Sequence, residues 1–477
     1  MKIDGRSDKN LRGELALWWS GAKPLVRRIG VRWATVLAVL AGLWLTGANY
    51  SPRYATLAPN IGPDTAPLEV YLTRGSDIPK EENAATLYFK ANSLLTGPNH
   101  GKVSDEEAQR LNHYFDDGSH KFTQSDWEVM KEFAAESETV MELVRRARQR
   151  PRCVFPVVGN CLGSHYGWYP PDAVAACLAL RTRVAAHWGD APAWRQAMKD
   201  LVGFVETIEK DPMPVFVEMQ RRTLAALLQS FEEACTSGVA AADDAFLAAL
   251  DGKLAALRPM EAFEPLLKLA WSVLEDSGPF PYFWAYPRYI SQSKSGGWPS
   301  YDENLGIPYC AAGFSARDRI LYTEYVSELL GIIRSGQPDA HLQAWKWMDR
   351  YSNLNGRMNR EFAPRYNQLC RLTARHDRHG SPGTLYTNLA CIRMARAMTA
   401  VIRQGRDEQG RFREAKFLDG LLRAFPSPKL GLPILCSSDP NHCRLTYRGD
   451  YAPWYNQGDE DFHVEFTAPP GPLRTAN

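Results

Sequence analysis

Residues 79–97 read PKEENAATLYFKANSLLTG. Ala84, Leu87, Tyr88, Ala91, Leu94 and Leu95 recur at steps of three and four, the spacing that lines one face of an α-helix. Pro79 stands ahead of the run and Gly97 closes it, the punctuation expected at the two ends of a helix. The same periodicity returns over 126–149, 172–187, 192–209, 214–235, 243–257, 260–275, 317–334, 341–351 and 385–404. Helices therefore follow helices. No β-α-β alternation interrupts them, which argues against a doubly wound sheet and predicts a mainly α chain built as an array of antiparallel helical hairpins. The array has no strict repeat period, so its likeness to tetratricopeptide arrays is one of layout.

Two stretches break the pattern. Residues 278–313 read GPFPYFWAYPRYISQSKSGGWPSYDENLGIPYCAAG, too rich in Pro and Gly for a helix and too aromatic for an ordinary solvated loop. Flat amphipathic rings bind sugars and peptides at little entropic cost, which makes Tyr282, Trp284, Tyr286, Tyr289, Trp298 and Tyr301 candidate ligand-binding residues. The competing reading, weighed slightly higher, is a loop folded back so that these rings, with Phe283, form a satellite core. From Phe425 onward, Pro and Gly frame short β-like pieces, 444–447 and 462–466, and a small C-terminal hairpin is expected.

At the other end, WATVLAVLAGLWLTGA (33–48) carries no charge and is preceded by Lys23, Arg27, Arg28 and Arg32. Cations on that flank hold the N-terminus in the cytoplasm, so the body is expected on the periplasmic side of the inner membrane, with one transmembrane anchor over 33–49. Thr46-Gly47-Ala48 offers a small-residue cleavage site, but the long charged leader with its own apolar patch (15–19) favours an uncleaved anchor. The organisation that follows is a basic cytoplasmic segment (1–32), the anchor (33–49), a Pro-rich linker (50–78), a helical region (79–277), the aromatic loop (278–313), a second helical region (314–424) and a small β element with its tail (425–477). Of the 477 residues, 56 Lys+Arg nearly balance 54 Asp+Glu, leaving +2. That charge lacks the basic excess of phosphate-dominated binding, so no nucleic-acid partner is expected.

Nine cysteines are an odd number, so in an oxidising compartment at least one stays unpaired within the chain. Two pairs lie close in sequence: Cys153 with Cys161 across a Pro/Gly loop, and Cys436 with Cys443 across SSDPNH. Both are disulfide candidates, and Cys436 with Cys443 is the expected bond. Cys177, Cys235 and Cys391 sit in helical patterns, where reduced and buried thiols are as good a reading as paired ones.

Catalytic signatures are sparse. His376 and His379 flank Asp377 within one turn, but neighbouring arginines repel a cation and no third ligand is placed, so neither a metal nor any other cofactor is expected. Asp302 and Glu303 follow the aromatic stretch, and glycosidic chemistry would need a facing carboxylate such as Glu324 or Glu328. Common hydrolase, zinc-protease and nucleotide fingerprints are missing.

The order of phrases carries one resemblance. An N-terminal anchor is followed by NAATLYFKANSLL (83–95), ELVRRARQRPRCVFP (142–156), ALRTRVAAHWGD (179–190) and a C-terminal helix that leads into a Gly-Arg-Phe turn. In this the chain resembles a group of uncharacterised bacterial envelope proteins with one anchor and a large helical body. Its ending is similar to that of pseudopilins, with Gly410-Arg411-Phe412, Asp439-Pro440 and Leu445-Thr446-Tyr447 in the corresponding places; Arg413 stands where that pattern has proline. The resemblance implies an envelope location and no catalytic residues. The expected function is a membrane-anchored, non-catalytic binding or scaffolding protein with a protein or glycan ligand. The alternative is a helical hydrolase acting on glycans near the aromatic loop.

Overall fold

A computed structural model describes residues 36, 61, 77–96, 122–155, 171–211, 213–276, 314–348, 382–451 and 461–467. They belong to two compact units, Met1–Gly62 with Ser277–Tyr325, and Pro63–Asp276 with Val326–Asn477. Among the described residues the first unit holds Val36, Ile61 and the opening turns of one helix; everything below concerns the second unless stated.

The fold is mainly helical, with one small antiparallel sheet. Helix α1 (Ala84–Thr96) buries Ala84, Leu87, Tyr88 and Ala91 of the stripe its spacing predicts, together with Ala85, whereas Leu94 is exposed and Leu95 half-buried. Asn83 precedes it, accepting at its side-chain oxygen from the Ala85 amide (3.1 Å) and the Val154 amide (3.1 Å), which ties residues 152–155 to the helix start. The next two helices, α2 (Gln124–Glu136) and α3 (Glu138–Arg148), correct the sequence reading of one continuous helix over 126–149. The chain breaks at Ser137, whose hydroxyl donates to the Ala134 carbonyl at 2.8 Å and so competes with the helix's own ladder. Thr123 and Asp126 close a capping box at the start of α2.

Helices α4 (Asp172–His187), α5 (Ala191–Ile208) and α6 (Pro214–Thr236) form the centre, each packed on the other two. Gly189, at φ +72°, makes the left-handed turn between α4 and α5, while the Asp190 carboxylate caps α5 by accepting from the Ala193 amide at 3.0 Å. Then come α7 (Asp244–Ala256), a 3-10 turn (Pro259–Ala262), α8 (Phe263–Asp276), α9 (Phe314–Arg334, whose first turns belong to the other unit), a helical stretch at 340–348, α10 (Pro382–Gln404) and α11 (Ala415–Leu422). The long α10 lies along α6, where buried Asn388 donates to the Val217 carbonyl (3.0 Å) and to the Gln220 side chain (2.8 Å).

The sheet has three antiparallel strands in the order β1 (Leu435–Ser438), β2 (His442–Tyr451), β3 (Asp461–Thr467). Cys443, Leu445, Tyr447, Phe462, Val464 and Phe466 form its buried face, and β3 packs on α6. This face joins the helical core in one continuous cluster. The sequence reading anticipated the pieces in β2 and β3 but not β1, because LCSS is a short edge strand with no fully buried residue.

No helix among the described residues is long and apolar enough to cross a membrane. The 33–49 segment lies outside them except for Val36.

Candidate functional site

The aromatic residues Tyr282, Trp284, Tyr286, Tyr289, Trp298 and Tyr301, the acids Asp302 and Glu303, the histidines His376 and His379, and Cys161 all lie outside the described residues. Glu324 is half-buried and Glu328 exposed on α9. Cys153 is buried. Cys436 and Cys443 come together, their sulfurs 3.8 Å apart as free thiols. Among the described residues no three His, Cys, Asp or Glu side chains gather as metal ligands do.

A cleft of about 580 Å³ opens beside the end of α7. Its floor is apolar, with Leu254 and Leu257 at the end of α7, Met260 in the 3-10 turn, Ile333, and Leu389 and Ile392 on α10. Its rim is charged: Arg258, Glu261, Glu264, Arg393 and Arg396. Most of these charges are held. Arg396 pairs with Asp251 at 2.8 Å, Glu264 with Arg334 at 2.7 Å and with Lys268 at 3.0 Å, and Arg393 donates to the Pro426 carbonyl at 2.5 Å. The hydrogen bond from Arg334, which outweighs burial, keeps Glu264 below the usual carboxylate range. His341 also lines the cleft, its Nδ1 buried without a hydrogen-bond partner among the described residues, and burial lowers its pKa so that the ring stays neutral. Close to Arg258, burial pushes Glu209 up to about 7 against the opposing bond from the Arg258 amide (2.8 Å).

A smaller cleft, about 410 Å³, lies between α3 and α5. At its base Asp200 is 1% exposed and accepts from Arg145 Nε, Arg148 Nη1 and Gln196 Nε2, each at 3.0 Å. Arg145 extends the network to Glu138 at 2.7 Å, and Glu138 reaches Arg181 at 2.5 Å. Gly203 makes room for it: a Cβ there would stand 1.9 Å from Arg148 Nε.

A third cluster sits under the sheet. Arg406, just past α10, is 5% exposed, and none of its three side-chain nitrogens has a hydrogen-bond partner among the described residues. Its guanidinium lies 5.4 Å from the Phe412 ring and beside the thiols of Cys235 and Cys443. Burial lowers its pKa and raises that of Cys235 to about 12. The hydrogen bond with Cys443 lowers the pKa of Cys436, and the same bond raises that of Cys443 beyond its ordinary range.

No known protein family, curated protein or solved structure matches this chain.

Sequence reasoning missed the larger cleft, although one signal was present: Arg393, Arg396 and Arg403 recur at helical spacing in α10, which carries no acidic residue. That marks a cationic edge. Its meeting with Arg258, far away in sequence, is a consequence of how α10 packs on the 3-10 turn.

Proposed function

We propose that the protein is a membrane-anchored, non-catalytic binding or scaffolding protein of the bacterial cell envelope. In this reading 33–49 is the anchor, the body is an array of antiparallel helical hairpins on the periplasmic side, and the larger cleft takes a protein segment that presents an apolar side chain beside a carboxylate. The observation that carries the reading is the cleft's construction. An apolar floor with a few fixed polar groups at its rim is the usual build of a recognition site, and its volume lies in the range of such sites. Arg258, Arg393 and Arg396 supply the cationic edge, and the ion pairs that hold Arg396 and Glu264 keep the rim in place.

The experiment uses the full chain and a peptide array carrying acidic-apolar motifs. Arg258 is exposed at the rim, so Arg258→Glu should lower peptide binding at least tenfold and leave the unfolding midpoint nearly unchanged. Equal binding by both proteins removes this ligand class. A periplasm-only reporter fused after Asn477 tests the topology: activity is expected, and activity of a cytoplasm-only reporter overturns it.

One observation favours the second reading, a helical hydrolase acting on glycans. Glu209, held near neutrality, has the acidity a general acid requires, and a neutral His341 stands in the cleft. Release of sugar fragments from envelope glycan by the wild-type chain, lost in Glu209→Gln, would establish it in place of the binding role.

A further inference from the structure

Cys436 and Cys443 are not directly opposed across β1 and β2. Cys436 pairs with Leu445 and Cys443 with Ser438, so the two cysteines are diagonal neighbours on one face of the hairpin. Their sulfurs, 3.8 Å apart, stand ~2 Å beyond bonding distance, near the turn that closes the hairpin between Asp439 and His442. The two thiols differ in access. Cys436 is half-buried on an edge strand and Cys443 is fully buried.

The second observation is independent of the sulfur geometry. Among the described residues the buried Arg406 guanidinium has no hydrogen-bond partner, and a buried charge without an accompanying anion is costly to keep. The groups beside Arg406 able to become that anion are the thiols of Cys235 and Cys443, and Cys443 is the one that shares the hairpin with Cys436. The Phe412 amide, which donates to the Pro440 carbonyl at 3.0 Å in the β1–β2 turn, links this cation's neighbourhood to the hairpin that carries both cysteines.

We propose that Cys436 and Cys443 form a reversible thiol-disulfide exchange site for small-molecule disulfides, in which Cys436 meets the incoming disulfide, Cys443 resolves the mixed disulfide, and Arg406 steadies the resolving thiolate. In the first step the Cys436 thiolate attacks one sulfur of RS–SR; the Cys436–SR bond forms, the RS–SR bond breaks, and the departing RS⁻ takes up a proton. In the second step the Cys443 thiolate attacks Cys436 Sγ, expels the second RS⁻, which is protonated in turn, and leaves the Cys436–Cys443 bond. Two protein thiols are oxidised and one small disulfide is reduced to two thiols. The lowered pKa of Cys436 supports its role as the entering nucleophile. Among the described residues the charged and titratable groups around the pair are Arg406, Cys235 on α6 with Glu232 one turn before it, and Asp419 on α11, beside Cys436. Of these Arg406 is the cation that faces Cys443.

The test treats the full-length protein with oxidised glutathione and follows intact mass and mapped peptides. Wild type should lose two hydrogens and yield a Cys436–Cys443 peptide. Cys443→Ser should accumulate one glutathione on Cys436, and Cys436→Ser should leave Cys443 unmodified. Arg406→Met should slow the resolving step about tenfold at pH 7 and move its pH midpoint upward by about one unit, with Arg406→Lys recovering most of the rate. An oxidised wild type without the Cys436–Cys443 link, or glutathione on Cys443 in Cys436→Ser, overturns the site. An unchanged pH profile in Arg406→Met removes Arg406 from it.

Discussion

Asp200 and Arg406 are both buried ions, and the chain treats them in opposite ways. Asp200 lies between α3 and α5 with three hydrogen bonds, two of them from guanidinium groups. Arg406 lies under the sheet with no hydrogen-bond partner among the described residues and with an aromatic ring and two thiols for company. A buried charge with full pairing holds its neighbours in place, and removing one partner leaves the others uncompensated. A buried charge without pairing opposes folding, so its presence points to something other than stability. The difference separates a structural network from a functional candidate.

Removing Asp200 tests the paired side and should have the largest effect. Asp200→Ala leaves Arg148 without its anion and Arg145 with Glu138 alone, and should cost about 3 kcal/mol, near the low end for a broken buried pair because both arginines reach solvent. Denaturant unfolding measures it, and a loss below about 1 kcal/mol would erase the contrast. On the unpaired side the sign reverses. Arg406→Met should raise stability by about 2 kcal/mol, since an apolar chain of similar length fills the site without a desolvated charge. A destabilised variant would mean that the guanidinium has a strong partner after all.

Glu232 sits between the two extremes and sharpens the comparison through pH. Its carboxylate accepts from the Glu465 amide at 2.8 Å and joins α6 to β3, yet burial pushes its pKa up to about 8, with Glu233 and Glu465 adding to the shift while the Glu465 amide and Arg183 oppose it. A folded-state pKa above the unfolded value means that the folded chain holds the extra proton. The native state therefore loses stability as pH rises from about 4.5 to about 8 and is not penalised below that window. Glu232→Gln should flatten this slope and gain on the order of 1 kcal/mol over wild type at pH 8.5, with no gain at pH 4.5, read from unfolding midpoints across pH.

Gly203 should show the smallest net effect. Gly203→Ala displaces the Arg148 guanidinium and loses one bond to Asp200, while alanine strengthens α5, so the two nearly cancel within about 1 kcal/mol. In an Arg148→Ala background the clash is gone. The same change should then stabilise by about 1 kcal/mol, and additivity of the two substitutions would refute the coupling.

The helices were legible because their signals are local. The start of α4 after Pro171, the proline near the start of α5 and the apolar spacing of α1 each act over one or two turns, and the structure places helices there. The break at Ser137 was not legible. A serine inside an amphipathic run is compatible with helix, and its role was decided by the Arg181 side chain from α4, which donates both to Ser137 and to the Ala134 carbonyl. Strand β1 was missed for a related reason: an edge strand of Leu, Cys and two Ser has little pattern until β2 lies beside it.

For the sites, the sequence by itself determined which residues were available: a cationic stripe on α10, two cysteines seven positions apart, an arginine-rich end to α3. Tertiary structure decided which of them meet. Asp200 finds Arg145 and Arg148 because α3 docks on α5, and the larger cleft exists because α10 packs on the 3-10 turn. Cys436 and Cys443 are diagonal because burial of Cys443, Leu445 and Tyr447 sets the register of β2, and a one-residue slip would turn that face to solvent. Periodicity is a property of neighbours along the chain, whereas pairing of charges and thiols depends on where rigid elements come to rest against one another, and that is settled by the packing of the whole core.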